Sequence, residues 1–199
     1  MRLKDKVAII TGGGSGFGEG IARRFAAEGA RIVVNDINVQ GGERVANTIK
    51  QHGGSAVFVK ADIAKATDVK ALVKAALDAF GRVDIMVNNA GYTHRNQSMM
   101  NVDEAAFDRI FDVNVKAIYL AALEIVPVFR KQGGGAILNT ASTAGAAAAA
   151  GPDDLQRVEG RRDHDDQVDG GRVRSRQDPR QLPLPGRGRD RDARRFHGR

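Results

Sequence analysis

A short β-branched run, Val7 to Thr11, leads without a break into Thr11-Gly12-Gly13-Gly14-Ser15-Gly16-Phe17-Gly18, and a helical pattern begins directly after it. This feature constrains the chain more than any other. A glycine-rich turn between a strand and a helix presents backbone N–H groups at a helix N-terminus with no side chains in the way, which suits a bound pyrophosphate. A glycine cluster alone also reads as a flexible turn, so the surrounding pattern has to decide.

That pattern is an alternation of β-rich runs and helical periodicity over the first 150 residues, as in a parallel sheet covered on both faces. Strands are expected at Val7 to Thr11, Arg31 to Asn35, Ala56 to Lys60, Asp84 to Asn88 and Ala136 to Asn139. Helices are expected near Gly18 to Glu28, Gly41 to His52 and Thr67 to Phe80, with a long one from about Val102 to Lys131 that bends near Val113. Gly29, and Gly53 with Gly54, stand where helix ends call for a left-handed residue. The spacings suit right-handed βαβ crossovers. The expected fold class is α/β, a Rossmann-type doubly wound parallel sheet truncated after about five strands, with an irregular tail.

At the end of the second strand stands Asp36, 18 residues beyond Gly18. A carboxylate at this distance accepts hydrogen bonds from the adenosine ribose hydroxyls and repels a 2′-phosphate. The expected cofactor is therefore NAD in preference to NADP; the bland alternative for Asp36 is an ordinary turn acid.

The form Thr11-Gly12-x-x-x-Gly16-x-Gly18 resembles the version of the dinucleotide loop used by short-chain dehydrogenase/reductases. Asp62-Ile63 after the third strand resembles the family's Asp-hydrophobic pair at the adenine. Asn88-Asn89-Ala90-Gly91 after the fourth resembles its Asn-Asn-Ala-Gly segment, which lines the cofactor. Asp112-Val113-Asn114-Val115 resembles the segment whose asparagine helps bind a water in the proton relay, and Asn139-Thr140-Ala141-Ser142 the segment that ends in the catalytic serine. The resemblance spans residues 3 to about 145, and its N-terminal half is closest to the 3-oxoacyl-carrier-protein reductase and sugar or polyol dehydrogenase branches.

The resemblance implies an NAD(P)-dependent oxidoreductase that moves hydride between a nicotinamide and a small alcohol or carbonyl substrate. It implies cofactor contacts at Gly12, Ser15, Gly16, Phe17, Gly18, Asp36, Asp62, Ile63, Asn89, Ala90 and Gly91, and catalytic roles for Ser142 and Asn114. It also implies a homodimer or homotetramer built on the long fourth helix and the next one, an arrangement placed in doubt by the tail of this chain. The substrate pocket would draw on residues around Thr93 to Met99 and on the segment after Ser142.

The family's proton donor is a tyrosine about 13 residues after the serine, with a lysine four residues further on that lowers its pKa and holds the nicotinamide ribose. Here that position is Leu155, the only tyrosines are Tyr92 and Tyr119, and the last lysine is Lys131. Residues 151–199 differ from the rest in composition: 13 arginines, no lysine, 10 acids and eight apolar residues, against 18 Lys+Arg and 14 Asp+Glu in residues 1–150. Such a segment is expected to be disordered, and the chain divides into a binding domain over 1–150 and a tail over 151–199.

The tail also reads as the same gene displaced by one base. Asp154 to Gly160 can be encoded by GAC CTA CAA CGC GTC GAA GGG, and the displaced string contains TAC AAC GCG TCG AAG, which is Tyr-Asn-Ala-Ser-Lys. The displacement carries on through a helix-like pattern over Arg161 to Gly171 and a strand-like one over Arg180 to Pro185. A frameshift near residues 145 to 151, beside the Ala146 to Ala150 run, is the expectation. Without the later strands, apolar surface on the sheet and long helix would be uncovered, so a poorly folded or aggregation-prone product is expected.

Composition narrows the other classes. With no cysteine, neither disulfides nor thiolate metal sites are possible. No signal peptide or membrane span is legible, and a cytoplasmic location is expected. The net charge of +7 admits nucleic acid as a partner. Against that, acids interleave the tail's arginines, and Phe196 is its single aromatic for stacking on bases. A non-catalytic NAD-binding regulatory protein is the main alternative. His164-Asp165-Asp166 reads as solvated coil in preference to a metal site, and His52 and His94 as surface residues.

Overall fold

The computed structural model describes residues 1–94 and 97–142, apart from the Met99 side chain. The tail over 151–199, its displaced-frame reading and the segment from Thr143 to Ala150 lie outside the described residues.

The five strands form within one residue of their expected bounds: β1 Val7–Thr11, β2 Arg31–Asp36, β3 Ser55–Lys60, β4 Ile85–Asn88 and β5 Ala136–Asn139. All pairings are parallel, in the order β3-β2-β1-β4-β5. The chain therefore moves outward from β1 to β3, returns, and moves outward the other way from β4 to β5. The reversal falls between β1 and β4.

Period-two alternation sorts the strand side chains onto two cores. Ala8, Ile10, Ile32, Val34 and Val87 pack with Ala22 of α1 (Gly16–Ala27) and Val45, Ala46 and Ile49 of α2 (Val39–Gln51). Ile9, Val33 and Met86 face the other way, onto Leu72, Val73 and Ala76 of α3 (Ala66–Phe80) and onto Leu120, Ile125 and Phe129 of α5 (Ala117–Gln132). Helices on both faces of a parallel sheet make this a doubly wound Rossmann-type fold.

Local chemistry sets the helix ends. α2 begins two residues before the expected Gly41 because the Asn38 side chain caps it, accepting from Gly41 N at 3.0 Å. α1 also begins two residues early, at Gly16. Gly29 and Gly53 take the positive φ expected of them, 90° and 80°, but Gly54 does not. A Cβ at Gly54 would stand 2.7 Å from Ile49 Cγ2, so its need is for space.

The single long helix expected from Val102 is three pieces. A 3-10 turn occupies Met99–Asn101, and Asp103 caps α4 (Glu104–Phe111) by accepting from Ala106 N at 2.7 Å. A π-helical segment, Asp112–Lys116, then spans the expected bend at Val113 before α5 continues.

Asp84, just ahead of β4, holds three strands together. Its carboxylate accepts from Val7 N at 3.0 Å and from Arg82 Nε and Nη2 at 2.9 and 2.5 Å. Its backbone donates to Val7 O and accepts from Ala136 N, at 2.8 and 2.9 Å. Burial works to raise its pKa, but the Arg82 and Val7 hydrogen bonds and the Arg82 and Lys6 charges outweigh it, and the carboxyl is held below its ordinary value.

A lowered folded pKa means stability that is present above the unfolded value of about 3.9 and lost as pH falls through the lower folded value. Asp84→Asn is expected to cost about 1.5–3 kcal/mol at pH 7 in urea unfolding, the range for hydrogen bonds to a charged group. The gap between native and variant should begin to narrow below about pH 4 and close only below the lower folded pKa; a gap independent of pH would place the stabilisation elsewhere.

Candidate functional site

The predicted site residues converge on one edge of the sheet, the C-terminal ends of the strands. The glycine loop follows β1, Asp36 ends β2, Asp62 and Ile63 follow β3, Asn89 to Gly91 follow β4, and Ser142 follows β5. The loops after β1 and β4 flank the reversal of strand order, where open α/β sheets bind their ligands.

The Thr11 hydroxyl organises this edge. It is 2% exposed, donates to Val87 O at 3.2 Å, and accepts from Asn89 N and Ala90 N, each at 3.0 Å. That is the full capacity of a hydroxyl. Asn89 returns the contact through Nδ2, which donates to Thr11 O at 3.0 Å and Gly12 O at 3.4 Å. The loop after β4 is thus fastened to the end of β1.

This fastening explains two glycines. Gly12 has a φ of 63°, and a Cβ on it would stand 2.9 Å from Ala90 Cα. A Cβ on Gly18, in the first turn of α1, would collide with Gly12 O and stand 2.6 Å from Asn89 Nδ2. Only glycine lets loop and helix close to this distance. Between them Ser15 is exposed, Phe17 is 84% exposed, and nothing would meet a Cβ on Gly16 within 4 Å. Ser15 makes no side-chain cap at the start of α1. The open stretch with first-turn N–H groups is thus Ser15 to Phe17.

Asp36 is tied into the same loop: Oδ2 accepts from Gly14 N and Oδ1 from Asn38 N, both at 2.9 Å. On the other side of Gly14, its carbonyl accepts from Arg44 Nη2 at 3.1 Å. Arg44 also makes a two-pronged pair with Glu19 of α1, at 2.9 and 2.5 Å, and Arg23 reaches Glu19 at 2.7 Å. The Arg44 hydrogen bond is the main cause of a Glu19 carboxyl held below the usual carboxylate range.

The remaining predicted residues have separate settings. Asp62 Oδ1 accepts from Ala64 N at 3.1 Å, and Oδ2 pairs with Arg109 of α4 at 3.3 Å. Ile63 is 8% exposed and packs into the core beneath α3 and α5. Asn114, in the π-helical segment and 3% exposed, exchanges two 2.8 Å hydrogen bonds with the Tyr92 backbone. This fixes the chain immediately after Gly91. Ser142 is exposed, two residues beyond Thr140, whose hydroxyl pairs with Asn89 Oδ1 at 3.3 Å. Among the described residues no group of three or more His, Asp or Glu is placed to hold a metal.

Sequence reasoning passed over Thr11 as a site residue, although it opens the motif, because its work is done by contacts 76 to 79 residues away. It also passed over Arg44 and Glu19, which give no motif signal. Thr11→Val should lower stability by about 2–4 kcal/mol in urea unfolding, since it strands two backbone N–H groups. Thr11→Ser should recover most of that loss. Equal losses in both variants would assign the effect to packing of the methyl group.

The comparisons agree with this geometry. The family model for short chain dehydrogenases matches residues 6–152. A 4-formylbenzenesulfonate dehydrogenase of Comamonas testosteroni is 44% identical over 145 residues, covering 73% of this chain and 58% of the relative. A cyclohexanol dehydrogenase of an Acinetobacter species is 39% identical, with 72% and 57% covered. The chain thus spans under two thirds of the length of these curated relatives. Among solved structures, a 3-ketoacyl-(acyl-carrier-protein) reductase of Brucella melitensis complexed with NADH is 45% identical. It superposes with a TM-score of 0.72 over 79% of this chain and 66% of its own. A short chain dehydrogenase/reductase of Burkholderia phymatum in complex with NAD is 29% identical, with a TM-score of 0.75 over 80% and 57%. The glycine loop, the sheet order and these matches together place the chain in the short-chain dehydrogenase/reductase family.

Proposed function

We propose that this chain is the dinucleotide-binding part of an NAD-linked oxidoreductase acting between an alcohol and a carbonyl. The observation that carries the reading is the loop over Gly12 to Gly18 at the reversal of strand order, closed against Asn89 and Ala90 as only glycine allows. The residues present fit a dinucleotide: an open helix N-terminus for a pyrophosphate, and a carboxylate at the end of β2 for a ribose diol. Relatives whose structures hold NADH and NAD support the same cofactor class.

In this reading the N–H groups around Ser15, Gly16, Phe17 and Gly18 bind the pyrophosphate, with Gly12 shaping the approach. Asp36 takes the adenosine ribose hydroxyls and disfavours a 2′-phosphate. Asp62 and the Ile63 backbone border the adenine, and Asn89, Ala90 and Gly91 line the path toward the nicotinamide, which supplies or accepts the hydride when bound. Ser142 donates a hydrogen bond to the substrate oxygen. Asn114 fixes the chain after Gly91 through Tyr92 and takes part in the proton relay.

The proton itself needs a titratable donor at the substrate oxygen. Position 155, 13 residues after Ser142, is leucine in this chain, and no lysine follows Lys131. We infer that the chain as written binds NAD without turning substrate over, and that the one-base displacement over residues 154–160 restores both missing groups.

Titration by NADH fluorescence is expected to give saturable binding, tighter than that of NADPH. Asp36→Ala should weaken NADH and narrow or reverse the preference; NADPH binding as tightly as NADH in the native chain would remove Asp36 from its role. The DNA across codons 140–160, together with a chain expressed in the displaced frame, tests the second point. Dehydrogenase activity on simple secondary alcohols is expected only from the displaced-frame chain, and activity from the chain as written would overturn the inference.

A further inference from the structure

We propose that Arg44 is a positioning residue of the phosphate loop, held by Glu19 so that the Gly14 peptide keeps the one orientation in which the next three N–H groups face a ligand. The inference rests on the cofactor reading above and extends it to two residues outside every motif of the chain.

The geometry is a clamp on one peptide residue from both sides. Gly14 N donates to the Asp36 carboxylate at 2.9 Å, and Gly14 O accepts from Arg44 Nη2 at 3.1 Å. A side chain cannot be added here to achieve the same fixing, since a Cβ on Gly14 would stand 2.8 Å from Asp36 Oδ2 and 3.0 Å from Gly42 N. The loop must therefore be both bare and rigid, and bare glycine backbone is costly to order. Hydrogen bonds from neighbouring elements offset that cost.

Arg44 suits the task because its guanidinium is a planar fork. One edge meets Glu19 through two hydrogen bonds while Nη2 also reaches the Gly14 carbonyl. Glu19 lies in the first turn of α1, next to the open N–H groups, where an unneutralised carboxylate would repel a pyrophosphate. Arg44 and Arg23 neutralise it. α2 thereby sets the shape of a loop that belongs to β1 and α1.

The clamp and a simple charge effect predict opposite outcomes for Glu19. If Arg44 acted only through its charge, Glu19→Ala would remove a repelling carboxylate and tighten binding. If Glu19 holds the clamp, the same substitution frees the guanidinium and weakens binding. We expect Arg44→Met to raise the NADH and ADP-ribose dissociation constants about tenfold, the equivalent of one charge-assisted hydrogen bond. Glu19→Ala should raise them about threefold, by the same reasoning. Arg44→Lys, which keeps the charge but not the planar fork, should recover little of the loss, and amide exchange at Gly14 to Gly18 without ligand should quicken in Arg44→Met. Tighter NADH binding by Glu19→Ala, or unchanged binding and exchange in Arg44→Met, overturns the proposal alone. A native chain that binds neither NADH nor ADP-ribose overturns the cofactor reading and this one together.

Discussion

The Thr11 hydroxyl makes three hydrogen bonds at the point where the sheet changes direction, and the arrangement of the whole functional edge follows from them. In a parallel sheet the strand ends leave peptide groups that no neighbouring strand completes, and buried ones must find partners. Here short polar side chains supply them. Asn35 donates to the carbonyls of Val59 and Ala61, joining the ends of β2 and β3. Asn88 donates to Asn139 Oδ1 at 2.8 Å, joining β4 to β5. With Thr11 and Asn89 between β1 and β4, and the Asp36 carboxylate at the end of β2 accepting from Gly14 N in the loop after β1, every pair of adjacent strands is sewn together at its carboxyl end. The loops that leave that edge therefore start from fixed points, which a site assembled from loops requires.

The opposite edge is fastened differently, by charge. Asp84 receives Arg82, Lys6 and the Val7 N–H, and the two ion pairs leave their cations partly in water. The two ends of one sheet thus divide the labour. Neutral amides and a hydroxyl do most of the joining at the functional edge, where charge enters through Asp36 and the Arg44–Glu19 and Arg109–Asp62 pairs, and Asp84 with Arg82 and Lys6 secures the other.

The fold was legible because strand and helix periods are written locally: all five strands stand within one residue of their expected positions. The glycine loop was legible because its constraint is steric and each residue carries its own share. What the sequence concealed is whatever depends on two distant segments meeting. Thr11 looks like the last residue of a strand until Asn89 and Ala90 are beside it, and Arg44 looks like an exposed helix arginine until Gly14 O is beside it. Ile63 shows a related blind spot. Its place in a two-residue motif suggested a contact surface, whereas its side chain belongs to the core and leaves only backbone to face a ligand. The break of the long fourth helix into α4, a π-helical segment and α5 was legible only as a bend, since hydrophobic spacing does not distinguish a bent helix from one that carries an extra residue in a turn.

That extra residue in the turn bears on how the chain tolerates insertion and deletion. The π-helical segment lets two registers coexist in one continuous helix: Val113, Ala117, Leu120 and Ile125 face the sheet while Asn114 faces the Tyr92 backbone. Removing one residue between Asp112 and Lys116 would restore an ordinary α-helical turn with Leu120, Ile125 and Phe129 still on the core, but the widened turn that carries Asn114 to the Tyr92 backbone would be gone. A helix surface elsewhere in the molecule could absorb a change of length at its loops, but here the count of residues is itself part of the structure.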